Sequence, residues 1–210
     1  TLADLADDAA ALLQALGVDS AHLLGHVMGG MVAQLIAIRH PERARSLCFI
    51  SAGAHQGIHG DIPFDSLADR LRLPQDRARH IEERLARNRA AASKGFALDD
   101  EADRVLMGDI YDRSGFDADA YVREELRKIG AILSAGDRRP GLGKLRIPAA
   151  VLQGDVDPLT PLEVGREAAA AIPGAEFVFV KGLGHDLPAG VWPLIARTVQ
   201  RTARRVSDTA

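Results

Sequence analysis

The stretch Ala21-His22-Leu23-Leu24-Gly25-His26-Val27-Met28-Gly29-Gly30-Met31-Val32 sets a short apolar run, a glycine-rich turn and the start of a second apolar run side by side. Ala21 to Leu24 reads as a buried strand, and Met31, Val32, Leu35, Ile36 and Ile38 form an apolar set wide enough for a helix buried on most sides. Strand, sharp glycine-rich turn over Gly25 to Gly30, helix is therefore the local organisation. Upstream, Leu2, Leu5, Ala9, Leu12, Leu13 and Leu16 recur at threes and fours, which predicts a helix that stops at Gly17. Downstream, Pro41 pushes the residue before it out of the α region and ends the helix at His40, and Ser46 to Ser51 reads as a second strand.

From Ala54 to Arg139 the composition shifts to Arg, Asp, Glu and Ala with helical spacing, as in Leu67, Leu71, Ile81 and Leu85, then Tyr121, Leu126, Ile129 and Leu133. Arg77, Arg79, Arg84, Arg87 and Arg89 are interleaved with Asp76, Glu82 and Glu83, the pattern of solvated helix faces rather than a basic binding surface. Pro140-Gly141-Leu142-Gly143 reads as a hinge back to the core. Ile147 to Gln153 and Glu176 to Val180 then read as strands, Pro161 to Ile172 and Val191 to Val206 as helices. Strands alternating with helices predict an α/β fold with a parallel sheet of about four strands and helices on both faces. The expected division is a core over 1–53, a helical cap inserted over 54–140, and a returning core over 141–210.

Composition narrows the function classes. The 210 residues are 47% hydrophobic and 26% charged, the proportions of an ordinary globular chain rather than a disordered one. A formal charge of −3 is too balanced for a general nucleic-acid or anionic-membrane binder. Cys48 is the only cysteine, so an intrachain disulfide and any CxxC-type zinc or redox site are excluded. A cytoplasmic setting is the expectation. No apolar run approaches the ~20 residues of a membrane span, and Thr1 to Asp8 lack the basic start of a signal peptide. His22, His40, His55, His59 and His80 have no metal-ligand spacing, and Gly29-Gly30 is not the G-x-G-x-x-G of a nucleotide site, so no metal and no cofactor are expected.

Three stretches carry a resemblance: Gly25-His26-Val27-Met28-Gly29, Gly154-Asp155-Val156-Asp157-Pro158, and Gly182-Leu183-Gly184-His185-Asp186. Together, in this order, they resemble the nucleophile elbow, acid loop and histidine loop of the α/β-hydrolase family. The flanks agree, with Met28-Gly29-Gly30-Met31-Val32-Ala33 after the elbow and Ala37 to Arg43 down the next helix. Within the family the motifs most resemble esterases of the antibiotic-methylesterase and lactonase kind. The resemblance implies His185 as the base. It favours Asp157, just before Pro158, as the acid, with Asp155 the competing candidate, which would otherwise hold its loop together. It also implies the backbone N–H of Met28 as an oxyanion donor, and reads His26 as a structural neighbour of the elbow.

Two departures bear on chemistry. The elbow position that holds serine in the family is Val27, which has no group able to attack a carbonyl. Losing the nucleophile of a triad costs on the order of 10⁶-fold in turnover, about 8 kcal/mol of transition-state stabilisation. The elbow also imposes a strained backbone that a β-branched residue tolerates badly, at about 1–3 kcal/mol. Cys48 reads as an interior strand residue and not as a replacement nucleophile. The second departure is that the family's first strands, with an early loop supplying another oxyanion donor, have no counterpart here. The expectation is an upstream segment, a partner chain or a second copy pairing with the exposed edge of the elbow strand.

Three functional readings stand, the first implied by the resemblance. The first is a family member descended from a carboxylic-ester hydrolase for a small apolar ester, impaired by Val27. In the second, His185 with Asp157 acts as a general base without a covalent intermediate. The third is a non-catalytic ligand-binding or assembly protein.

Overall fold

A computed structural model describes residues 1–55 and 73–206 of the chain. Four strands, β1 (Ala21–His26), β2 (Ala44–Ile50), β3 (Ala149–Gly154) and β4 (Glu176–Val180), form one parallel sheet in the order β1-β2-β3-β4. The inner strands are the buried ones: every residue of β3 and all but Arg45 in β2 are buried, whereas β1 and β4 are mostly half-exposed. Successive residues of the inner strands face opposite layers. Phe49 and Val151 pack with Ala33, Ala37, Ala168 and Ile172 on one face, and Ile50 and Leu152 pack with Val180, Leu183 and Val191 on the other. This two-sided burial is what a parallel sheet requires.

The helices α1 (Leu2–Ala15), α2 (Met28–Arg39), α7 (Leu162–Ala170) and α8 (Trp192–Arg204) clothe the sheet. Thr1 and Asp4 form a reciprocal capping box at the start of α1. Gly30 lets α2 settle on β2, because a Cβ there would lie 2.7 Å from the Cβ of Ala52 and 3.1 Å from that of Phe49. Between β2 and β3 the chain runs through α3 (Arg77–Ala90), α4 (Asp100–Ser114) and α5 (Ala118–Leu133), capped at their N-termini by Asp76, Asp99 and Asp117. Among the described residues no strand falls in this insertion. The helical spacing of Leu67 and Leu71, and His59, lie outside the described residues.

Some boundaries differ from the sequence expectation. The supposed hinge at Pro140 to Gly143 is a single helical turn, α6 (Arg139–Leu142), with proline in its first turn, where the missing N–H costs nothing. Leu142 on that turn is fully buried, so the return to the core is packed. Strand β1 continues two residues past Leu24, through Gly25 to His26, and the turn falls at Val27, within the expected glycine-rich stretch. Among the described residues no helix is long and apolar enough to cross a membrane.

Candidate active site

Parallel strands bring the ends of β1, β3 and β4 to the same edge of the sheet, so the three glycine-rich stretches converge there. At the end of β1, Val27 holds φ 53 and ψ −120 as the N-cap of α2, without a side-chain cap. The turn is as sharp as the sequence demanded, and the strain has not relaxed. Its backbone N–H donates to the carbonyl of Ile50 at 2.9 Å, while its own carbonyl accepts from Gly30 and Met31. A Cβ on Gly25 would lie 2.3 Å from the Gly29 carbonyl oxygen and 2.5 Å from the Gly30 nitrogen, so glycine is obligatory at this approach. Met28 opens α2, where the first N–H groups have no intrahelical acceptor.

His185 and Asp157 form the one pair expected of them. His185 Nδ1 donates to both carboxylate oxygens of Asp157 at 3.0 Å. The Asp157 side chain is fully shielded from solvent and the His185 side chain is 18% exposed. Oδ1 of Asp157 also accepts from the backbone N–H groups of Leu159 and Thr160, both at 2.9 Å. Burial works to raise the Asp157 carboxyl, but the hydrogen bond and charge of His185 and those two amides hold it below the ordinary carboxylate value. Asp157 is thus an ionised, anchored partner that orients the imidazole. Asp155 instead accepts from the Gly182 N–H at 2.6 Å and ties the β3 loop to the histidine loop.

His26 ends β1 just before Val27, and its ring centroid lies 5.7 Å from that of His185. Its Nε2 is buried without a hydrogen-bond partner, and burial first, then the neighbouring His185, lowers its pKa to about 4. Cys48 is 1% exposed within β2, and burial raises its thiol, which leaves it inert in the core. Among the described residues, no cluster of three His, Cys, Asp or Glu side chains is placed to hold a metal ion.

Several residues at the site escaped sequence reasoning. Ser51, just past β2, is buried with φ 51 and an unpartnered hydroxyl, and Thr160 donates its hydroxyl to the Ser51 carbonyl at 3.2 Å. Ser93 and Asp186 bond each other across 93 residues, a pairing that no local pattern could signal. Arg138 is 3% exposed and donates to Gln34 Oε1 and the Gly53 carbonyl, joining the end of the insertion to the loop after β2. An open apolar groove of about 490 Å³ beside β1, lined by Leu24, Leu187, Trp192, Ile195 and Val199, includes neither Val27, Asp157 nor His185 in its walls.

Residues 1–188 match the family model described as alpha/beta hydrolase fold. The rhodomycin D methylesterase of Streptomyces sp. (strain C5) is 28% identical over 93% of this chain and 71% of its own length. The pimeloyl-[acyl-carrier protein] methyl ester esterase of Chromobacterium violaceum is 28% identical over 81% of this chain and 65% of its own. Among solved structures, the meta-cleavage product hydrolase of Pseudomonas fluorescens superposes with a TM-score of 0.76 at 18% identity, covering all of this chain and 73% of that one. The enol-lactonase of Burkholderia xenovorans gives 0.70 at 20% identity, over 99% and 73% of the two chains. With the parallel sheet, the strand-end loops and a matching family model over most of its length, the chain belongs to the α/β-hydrolase fold family.

Proposed function

We propose that the site is that of a carboxylic-ester hydrolase acting on small apolar esters, in which Val27 occupies the nucleophile position of the elbow and closes the acyl-enzyme route. The observation that carries this reading is the conformation of Val27. A turn that served only to reverse the chain would be filled most cheaply by glycine, whereas here a β-branched residue holds φ 53 next to His26, which contacts His185. Strain retained beside an assembled acid–histidine pair is the mark of a turn shaped for chemistry. Methyl esters are the first substrate class to test, since two relatives are named for methyl ester cleavage. The insertion that follows β2 would act as the cap over the substrate.

With serine at this position, its proton would pass to Nε2 of His185 as its oxygen bonded to the ester carbonyl carbon, and the departing alkoxide would take that proton. Asp157 would steady the imidazolium, and the Met28 N–H would face the developing oxyanion. With valine, the bond to carbon cannot form. A second reading rests on the engagement of His185 Nδ1 by Asp157, which leaves Nε2 as the ring nitrogen able to accept a proton from water.

The test is intact-mass analysis after exposure to a fluorophosphonate, together with release of alcohol from short-chain p-nitrophenyl and methyl esters. The parent chain should remain unlabelled and show no burst. Val27→Ser should gain one phosphonyl group, and Val27→Ser with His185→Ala should lose it. Labelling or a burst in the parent chain would overturn the proposal. Unlabelled turnover abolished by His185→Ala would favour the general-base reading.

A further inference from the structure

The backbone that carries His185 is set less by its own strand than by the segment between α3 and α4. Residues 184, 185 and 186 are each bonded to residues 91 to 93. The Gly184 N–H donates to Ser93 Oγ at 2.9 Å, and the His185 N–H donates to the Ala91 carbonyl at 2.8 Å. Ser93 donates to Asp186 Oδ1 twice, from Oγ at 2.5 Å and from its backbone N–H at 2.7 Å. Lys94 and Gly95 add their N–H groups to the Gly182 carbonyl, both at 2.9 Å.

The fit leaves no slack. A Cβ on Gly184 would lie 2.5 Å from the Ala91 carbonyl oxygen, and one on Gly182 would lie 2.5 Å from the Gly95 Cα. Ser93 is 5% exposed, and its hydroxyl meets the buried Gly184 amide and the half-buried Asp186 carboxylate. A buried hydroxyl that donates to a carboxylate and accepts from an amide is fully used, and removing it takes the acceptor from the Gly184 amide and leaves Asp186 with only the Ser93 backbone N–H of its two Ser93 donors. The Gly184 amide and the Asp186 carboxylate flank His185 directly in sequence.

We propose that Ser93 is the positioning residue of His185: through Gly184 and Asp186 it makes the His185–Asp157 pair conditional on the helical insertion being seated. The bonds of Ser93 go to Gly184 and Asp186, on either side of His185, so it acts through the backbone of the histidine loop. This rests on the proposed role of the pair, and it goes further by assigning control of the pair to the insertion. A displacement of the 91–95 segment, by substrate or by any ligand under the insertion, moves the histidine while Asp157 stays anchored on the Leu159 and Thr160 amides.

The experiment is ¹⁵N-histidine NMR of the whole chain, following the far-downfield Nδ1 proton that His185 shares with Asp157 and its exchange with water. In the parent chain the signal is expected, and Asp157→Asn, which removes the charged acceptor, identifies it. Ser93→Ala should accelerate its exchange at least tenfold or abolish it, at a temperature where the amide spectrum remains folded. Ser93→Thr, which keeps the hydroxyl, should restore it. Asp186→Ala cuts the same ring from its other side and should reproduce the loss if Ser93→Ala does not fold. A parent-like exchange rate in folded Ser93→Ala or Asp186→Ala would overturn the assignment of Ser93 while leaving the pair intact. Absence of the signal from the parent chain would overturn the pair itself, and the positioning role with it.

Discussion

Val27 donates its backbone N–H to the Ile50 carbonyl oxygen at 2.9 Å, which ties the turn after β1 to the last residue of the neighbouring strand. The next residue along β2, Ser51, is the other non-glycine residue with positive φ among the described residues, at 51°. Two strained positions therefore sit at adjacent strand ends, and the sheet beneath them holds both in place. Strain of this kind persists only where the surroundings over-determine the backbone.

The first prediction concerns that strain. Val27→Gly should remove about 1–3 kcal/mol of backbone cost, offset by about 0.5–1 kcal/mol for the added freedom of glycine in the unfolded chain and by some lost side-chain burial. A net gain of about 0.5–1 kcal/mol is expected. Urea unfolding reads it as a raised midpoint at unchanged slope, and a lowered midpoint would refute the presence of stored strain.

The two glycines of the turn should behave oppositely. Gly25→Ala drives a Cβ against the backbone of Gly29 and Gly30, where no flexible side chain can yield, and should cost on the order of 3 kcal/mol or prevent folding. A Cβ on Gly29 meets nothing within 4 Å, and the residue lies in the first turn of α2, so Gly29→Ala should gain about 0.5 kcal/mol. Thermal melts of the two variants decide the matter, and equal effects would contradict the geometry.

Arg138 is a buried cation whose hydrogen bonds go to neutral acceptors: Gln34 Oε1 and the carbonyls of Gly53, Ala135 and Gly136. Burial lowers its pKa against a smaller opposing effect of Asp137. Arg138→Met keeps the volume but strands these acceptors, at about 1–3 kcal/mol for each one left dry. A loss of about 3 kcal/mol by urea titration is expected, and a neutral result would mean that water replaces the guanidinium.

Stability should carry a pH signature from His26. Its folded pKa of about 4 lies below the ordinary 6.5, so the unfolded chain takes up a proton that the folded chain refuses. The contribution is complete above pH 6.5 and declines as the pH falls toward 4, by up to about 3 kcal/mol. Asp157 adds a separate loss at lower pH, since its depressed carboxyl stabilises the fold above the ordinary 3.8 and stops doing so as it protonates. His26→Gln should flatten the slope between pH 6.5 and 4 while leaving the acid limb. Chemical denaturation at several pH values measures both, and an unchanged slope in the variant would exclude His26 as its source.

Much of this was legible in the sequence because it is local. The apolar runs beginning at Ala21, Ser46, Ile147 and Glu176 all hold strands, the third starting only at Ala149, past Pro148, and Gly25, Pro158 and Gly184 mark the loops at their ends. The resemblance favoured Asp157 over Asp155 as the partner of His185, and the fold brings Asp157 to the histidine. What escaped notice depends on distant segments. Ser93 and Asp186 are polar residues without a local signal until the fold joins them, and Arg138 lies near the end of a charge-rich stretch whose pattern is that of solvated helix faces. Ser51 follows a strand with nothing to announce a left-handed backbone. The turn of α6 was hidden because Pro140 and Gly141 read as breakers, while Leu142 supplied the burial that made a helical turn worthwhile.

The insertion leaves after β2 and returns before β3, although these two strands are direct neighbours, with Ile50 opposite Leu152. Closing a loop of roughly 100 residues is only about 0.6 kcal/mol more costly than closing one half as long, because the entropy grows with the logarithm of length. The whole segment between the strands can therefore lengthen, shorten or change its helices at little thermodynamic expense, so long as the 91–95 stretch and Arg138 still reach their seats. Folding speed is where the arrangement tells, since β3 must find β2 across that distance before the central pair can form. A descendant of this chain could exchange the segment between these strands almost freely, and its refolding rate would register the exchange sooner than its stability.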